Sequence, residues 1–158
     1  MSTEALLLDA ALRTWNTNLD RASKLFGDLS EEQLQQEIAP GRNRLIYLWG
    51  HLTAVNDALL PLWGFGPRLH PELDEVFIKN PDRTKQTPPT AELKQKWQHI
   101  NDTLHQAMSK LTPAEWADRH TAVSAEDFQR EPHRNRFNVL LSRTNHLAYH
   151  LGQAIGRA

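Results

Sequence analysis

Two histidines near the end of the chain have the spacing of a metal-binding pair. His146 and His150 lie four residues apart in a stretch whose apolar pattern predicts a helix. Four residues make just over one helical turn, so both imidazoles are expected on the same face. Two imidazoles in this arrangement can bind one divalent ion, with nitrogens about 2.0–2.1 Å from it. A metal site usually needs at least one more protein ligand.

His51 is the candidate for that third ligand, because it lies within the apolar side of another predicted helix. A single histidine in such a place is often a hydrogen-bonded core residue, and a pair spaced by four also arises by chance. Burying three imidazoles without partners would be costly, however, and bundle metal sites use inward-pointing ligands from facing helices. We therefore predict that His51, His146 and His150 bind one divalent metal ion. Zinc, nickel and iron all accept imidazole, so the ligands do not choose among them.

The remaining candidates for chemistry are weaker. Five histidines are expected on the surface or in loops, although the first of them could also cover the site: His70, His99, His105, His120 and His133. Leu147 stands where a zincin helix has its catalytic glutamate, so that mechanism is excluded. No general acid or base can be assigned from the acidic residues near the predicted site, which are Asp57, Glu72, Asp74 and Glu75.

Composition limits the classes of function. Eighteen Lys and Arg against nineteen Asp and Glu give a net charge of −1, with no basic excess to favour nucleic acid binding. The absence of Cys removes disulfides, thiolate ligands and cysteine nucleophiles, and it fits a cytoplasmic protein. The first twenty residues lack the features of a signal peptide, and no apolar run is long enough to span a membrane. A length of 158 residues predicts one domain over residues 1–158.

The hydrophobic pattern predicts four long helices and no sheet. Apolar residues repeat at alternating intervals of four and three, and capping signals support helices over roughly 3–26, 43–62, 90–111 and 136–156. Asn43, Thr90 and Asn135 are the expected N-caps. Capping boxes begin two further short helices, and the proline-rich stretch 65–89 and residues 118–133 are expected to be loops. The chain is thus predicted to be all-α, a four-helix bundle.

The residues around these histidines resemble the DinB/YfiT-like superfamily. The resemblance rests on Gly50-His51-Leu52 in the second long helix and on the His-x-x-x-His-x-Gly-Gln segment that ends at Gln153. It implies an up-down-down-up bundle with a long crossover between the second and third long helices. It also implies a divalent metal held at His51, His146 and His150, and a homodimer. Leu151 is a departure, because many members have Arg there, so the resemblance implies no substrate-anion contact from this position.

The resemblance also shapes the functional hypotheses. Some similar proteins transfer small thiols such as bacillithiol, mycothiol or glutathione, and others are described as metal-dependent hydrolases. We expect a metal-dependent enzyme of one of these types, acting on a small-molecule substrate, with a low-molecular-weight thiol as cofactor in the transferase case. The alternatives are a non-catalytic metal-binding bundle and a structural bundle that dimerises. A homodimer also fits the apolar residues outside the main stripes, among them Leu6, Leu7, Trp63 and Phe65.

Overall fold

The computed structural model describes residues 1–156, and this part of the chain is all-α. It has four long helices and four short ones and contains no strand. Their bounds are α1 Thr3–Asp28, α2 Glu31–Leu34, α3 Leu45–Leu62, α4 Leu73–Phe77, α5 Thr90–Met108, α6 Pro113–Ala117, α7 Ala125–Arg130 and α8 Arg136–Ile155. The prediction of an all-α protein with four long helices is therefore confirmed.

Helix α3 is the centre of the molecule. It is buried on nearly every side and contacts α2, α4, α5 and α8. A helix that is apolar all round needs neighbours on all sides, whereas α1, α5 and α8 each bury a single stripe. The stripes are those that the sequence predicts, and α1 packs against α8. His51 therefore lies on the helix whose position the fold fixes most firmly.

Local capping signals account for most of the helix ends. Ser30 and Thr112 form the two predicted capping boxes, which begin α2 and α6. Asn135 caps α8 as predicted, since its side chain accepts a hydrogen bond from the backbone N–H of Asn138 at 2.8 Å. At each of these three helix starts a side-chain oxygen accepts from the backbone N–H three residues later, so short sequence motifs suffice to locate the starts.

Other predicted boundaries were wrong. Helix α3 begins at Leu45 with Arg44 as N-cap, and Asn43 does not cap it. The Arg44 backbone N–H instead donates to Asp82 at 2.8 Å, a partner 38 residues away. Thr90 is the first residue of α5 rather than its cap. Two short helices, α4 and α7, occur within the stretches that we expected to be loops.

The stretch between α3 and α5 is tied down at two points. Asp57 is fully buried in α3, and it accepts hydrogen bonds from the Arg68 side chain and from the backbone N–H groups of Leu69 and His70. Further along, the Arg44 guanidinium pairs with the nearly buried carboxylate of Asp82 at 2.7 Å. These contacts fix α4 against α3, and α4 ends at the residue that reaches the histidines.

The aromatic side chains are mainly core residues. Trp49 stacks on Phe26 with ring centroids 5.7 Å apart, and Trp63 packs edge-on against Trp116. Trp63 is completely buried, so our prediction that it helps to form a dimer surface was wrong. Leu6 and Leu7 are exposed. Among the described residues, no helix has both the length and the apolar character needed to cross a membrane.

Candidate metal centre

Three histidines from two helices meet at one point. His51 Nε2 lies 3.3 Å from His146 Nε2, and His150 Nε2 lies 3.1 Å from the same atom. One ring nitrogen from each residue lies within 4.8 Å of the other two, and the group could hold a metal ion. The structure thus brings together the three residues that the sequence singled out. All three rings are half-buried.

Two of the rings are oriented by neighbours that fix their tautomers. His51 Nδ1 lies 3.0 Å from the backbone oxygen of Phe77, and His150 Nδ1 lies 2.8 Å from Gln153 Oε1. An oxygen of this kind only accepts, so each Nδ1 donates the hydrogen and each neutral ring keeps a bare Nε2. Partners of this kind usually orient the histidines of metal sites.

The His146 ring cannot donate a hydrogen bond to both of these bare Nε2 atoms. His146 Nε2 could donate one hydrogen to one of its two neighbours, which leaves the other lone pair facing the centre without a proton. A cation at the centre would satisfy all three lone pairs. At a metal–nitrogen distance of about 2.05 Å, the separations of 3.3 and 3.1 Å correspond to angles of about 107° and about 98° at the ion. Both separations are thus short enough for each pair of nitrogens to bind the same ion, so the residues fit a divalent metal.

The electrostatics keep the two α8 rings, His146 and His150, neutral. Burial, followed by the neighbouring charges of His150, His51 and Arg143, lowers the pKa of His146 from 6.5 to about 4. Burial also lowers the pKa of His150, although its hydrogen bond with Gln153 acts in the opposite direction. Neutral imidazole is the form that binds a metal ion. Both residues are therefore in the binding form over the physiological pH range.

Helix spacing alone indicates why α8 supplies two ligands. His146, His150 and Gln153 lie on one side of α8, next to the buried stripe that contains Leu147 and Leu151. Leu151, the residue at which the sequence departs from the pattern of similar proteins, is buried in the core. The Gln153 amide also donates to the Tyr149 hydroxyl at 3.3 Å, which leaves its Oε1 free to accept from His150.

The other sequence candidates lie elsewhere. His70 approaches His99 of α5 at 3.4 Å, and the structure shows no polar contact between His70 and the three-histidine centre. Asp57, considered as an acid or base, is held by Arg68 as described above. Asp74 also pairs with Arg68. The two glutamates at α4 form ion pairs with lysines: Glu72, its N-cap, pairs with Lys96, and Glu75 pairs with Lys79 and Lys85.

Sequence reasoning missed Phe77. Its contribution is a backbone carbonyl, which any residue could provide, and it lies in a stretch predicted as loop. Gly50 shows why the carbonyl lies there. A Cβ at Gly50 would come 2.1 Å from the Phe77 ring, so only glycine lets α4 approach α3 this closely. Gly50 was recognised as part of a motif, but the sequence alone did not reveal this packing.

The described residues thus form an all-α protein in which two long helices bring three histidines together at a candidate metal site. The model of the DinB superfamily matches residues 14–154, and the chain belongs to that superfamily. A comparison with curated proteins found no match.

Proposed function

We propose that this protein is a metal-dependent enzyme whose divalent ion is bound by His51, His146 and His150. The observation that supports it most directly is the convergence of three ring nitrogens, two of them with lone pairs left bare by fixed tautomers. Three protein ligands leave a coordination position for water or substrate, as in catalytic zinc sites, whereas structural zinc sites have four protein ligands. We therefore propose a catalytic type of metal site, with a coordination position open to water or substrate, rather than a structural one.

Each residue near the site has a distinct part in this proposal. When bound, the ion would supply an activated nucleophile, either by lowering the pKa of a bound water toward 7 or by holding a substrate thiol as thiolate. The three histidines bind the ion, and the Phe77 carbonyl and Gln153 keep His51 and His150 in the right orientation. Asp57 is fully buried in its contacts with Arg68, so we assign it no proton transfer.

The reaction we propose is the transfer of a small thiol to an electrophile, or the hydrolysis of a small molecule. Membership of the superfamily supports this choice, together with a half-buried site on the side of α8. A non-catalytic metal-binding bundle is the alternative. Zinc- or nickel-loaded protein, prepared without an affinity tag, would be assayed against common thiols with electrophiles and against ester and amide substrates.

The expected result is turnover with at least one reaction class, lost in His146→Ala and in metal-free protein. A matched control is His105→Ala, which removes an exposed histidine of α5. Activity that survives His146→Ala would contradict the proposed site. Full metal occupancy without any turnover would favour the non-catalytic alternative.

We further propose that residues 1–158 form one domain, an up-down-down-up four-helix bundle. Support comes from the contacts of α1 with α8 and of α3 with α5 and α8, and from the long connection between Leu62 and Thr90. A homodimer is proposed from the exposed apolar residues Leu6, Leu7 and Leu141. The cytoplasmic location remains a prediction from the cysteine-free composition.

A further inference from the structure

Arg143 is a half-buried arginine one helical turn before His146, and it has no hydrogen-bond or ion-pair partner within residues 1–156. It lies three residues before His146, so the two side chains leave α8 on the same side. Within residues 1–156, the structure gives its guanidinium no hydrogen bond and no ion pair. By contrast, Arg44 and Arg68, which are also partly buried, each pair with aspartates.

The charge of Arg143 acts on the candidate metal centre. It contributes to the lowered pKa of His146, and burial lowers the pKa of Arg143 itself. No carboxylate contributes to the pKa shift of His146 or of His150. Three neutral ligands, one divalent ion and one guanidinium would therefore give the site a net charge of about +3.

A site of this kind favours an anionic ligand. The planar guanidinium matches a carboxylate with two parallel hydrogen bonds, and this pairing is strong where water is partly excluded. Because the reacting group of the substrate would offset charge at the ion, the free guanidinium is left to balance one further negative charge, as a carboxylate does. We propose that Arg143 binds a carboxylate of the substrate while the reacting group of that substrate occupies the open position on the metal. This inference rests on the proposed function.

The test uses cobalt-substituted protein, because thiolate binding to cobalt changes its visible absorption and needs no catalytic turnover. Two probes of equal length are titrated: 3-mercaptopropionate, which has a carboxylate, and 3-mercapto-1-propanol, which is neutral. The carboxylate probe should bind about tenfold or more tightly, as expected for one charged hydrogen-bonded pair. The preference should vanish in Arg143→Met and persist in part in Arg143→Lys, which keeps the charge but loses the fork.

Arg21→Met is the matched control, because it removes an exposed guanidinium from another helix with no effect on the pKa of either α8 histidine. It should keep the full preference. Equal binding of both probes by the unaltered protein, or a preference that survives Arg143→Met, would overturn the inference. So would tighter binding of 2-mercaptoethylphosphonate than of 3-mercaptopropionate, which would indicate a phosphate-type substrate. Failure to bind cobalt at all would overturn the metal centre itself, and the inference with it.

Discussion

Replacing Gly50 by alanine should disturb the candidate metal centre without touching a ligand. A Cβ at this position would lie 2.1 Å from Phe77 Cε1 and 2.2 Å from Cζ. Comfortable carbon contacts are about 3.5–4.0 Å, so the ring would have to retreat by about 1.5 Å. Phe77 is fully buried and packs against Tyr47, with ring centroids 5.8 Å apart, which leaves it little room to move.

The net effect on stability follows from two opposing contributions. Overpacking of a dense core costs about 1–3 kcal/mol, and the clash here is severe. Alanine is favoured over glycine inside a helix by about 0.8–1.0 kcal/mol, which offsets part of that cost. We expect Gly50→Ala to lose about 1–2 kcal/mol, or about 3–6 °C in Tm for a chain of this size. Because Phe77 also orients His51, zinc affinity should fall by about 10–100-fold.

Gly152→Ala provides the matched control. Gly152 is an exposed residue of α8, and nothing lies within 4 Å of a Cβ built there. The same substitution should therefore stabilise the protein by about 0.5–1 kcal/mol and leave zinc binding unchanged. Thermal unfolding by circular dichroism in EDTA, and zinc competition with a chromophoric chelator, measure the two effects. If Gly50→Ala were as stable as the unaltered protein and bound zinc equally well, the link from Gly50 through Phe77 to His51 would be refuted.

Three further predictions concern orientation, pH and assembly. Gln153→Ala removes the acceptor that holds His150, and chelator competition should show zinc affinity about 10–100-fold weaker, whereas Gln153→Glu should largely preserve it. The pKa of His146 is about 4 in the folded protein against about 6.5 when unfolded, so below pH 6.5 the unfolded state binds more protons. The stability of the metal-free protein should thus be full above pH 6.5 and decline between pH 6.5 and 4, and His146→Gln should flatten that decline in thermal melts. Leu7→Glu places a charge on the exposed face of α1. Sedimentation equilibrium should then show a shift from dimer to monomer, while the circular dichroism spectrum keeps its helical signal. A dimer that persists in this variant would mean that this face of α1 is not the interface.

Local signals in the sequence predicted the features that depend on local structure. The apolar stripe of α8 and the cap at Asn135 were confirmed, because each follows from helical periodicity or from a side chain three residues away. For the same reason, His146 and His150 could be placed on one face of α8. The convergence of His51 with them required residues 95 positions apart on two helices to face each other. The sequence indicated it only through the position of His51 on an apolar helix side and through the resemblance to a family.

Features that depend on distant parts of the chain could not be predicted. The prediction that Asn43 caps α3 was wrong, since Arg44 is the N-cap and its N–H donates to Asp82. No local pattern indicates a partner 38 residues away. The Phe77 carbonyl was missed because a backbone oxygen has no sequence signature. Trp63 was assigned to a surface because its contact with Trp116 joins segments that are far apart in the sequence.

Zinc binding by protein without an affinity tag tests the central claim most directly. Competition titration should show one zinc per chain. His51→Ala should weaken zinc binding by more than roughly 100-fold, the largest loss expected when a residue that only orients a ligand is removed. Helical content should be unchanged in that variant, and the exposed-histidine control His105→Ala should bind like the unaltered protein. A His51→Ala variant that kept one zinc per chain at equal affinity would contradict the assignment of this metal centre.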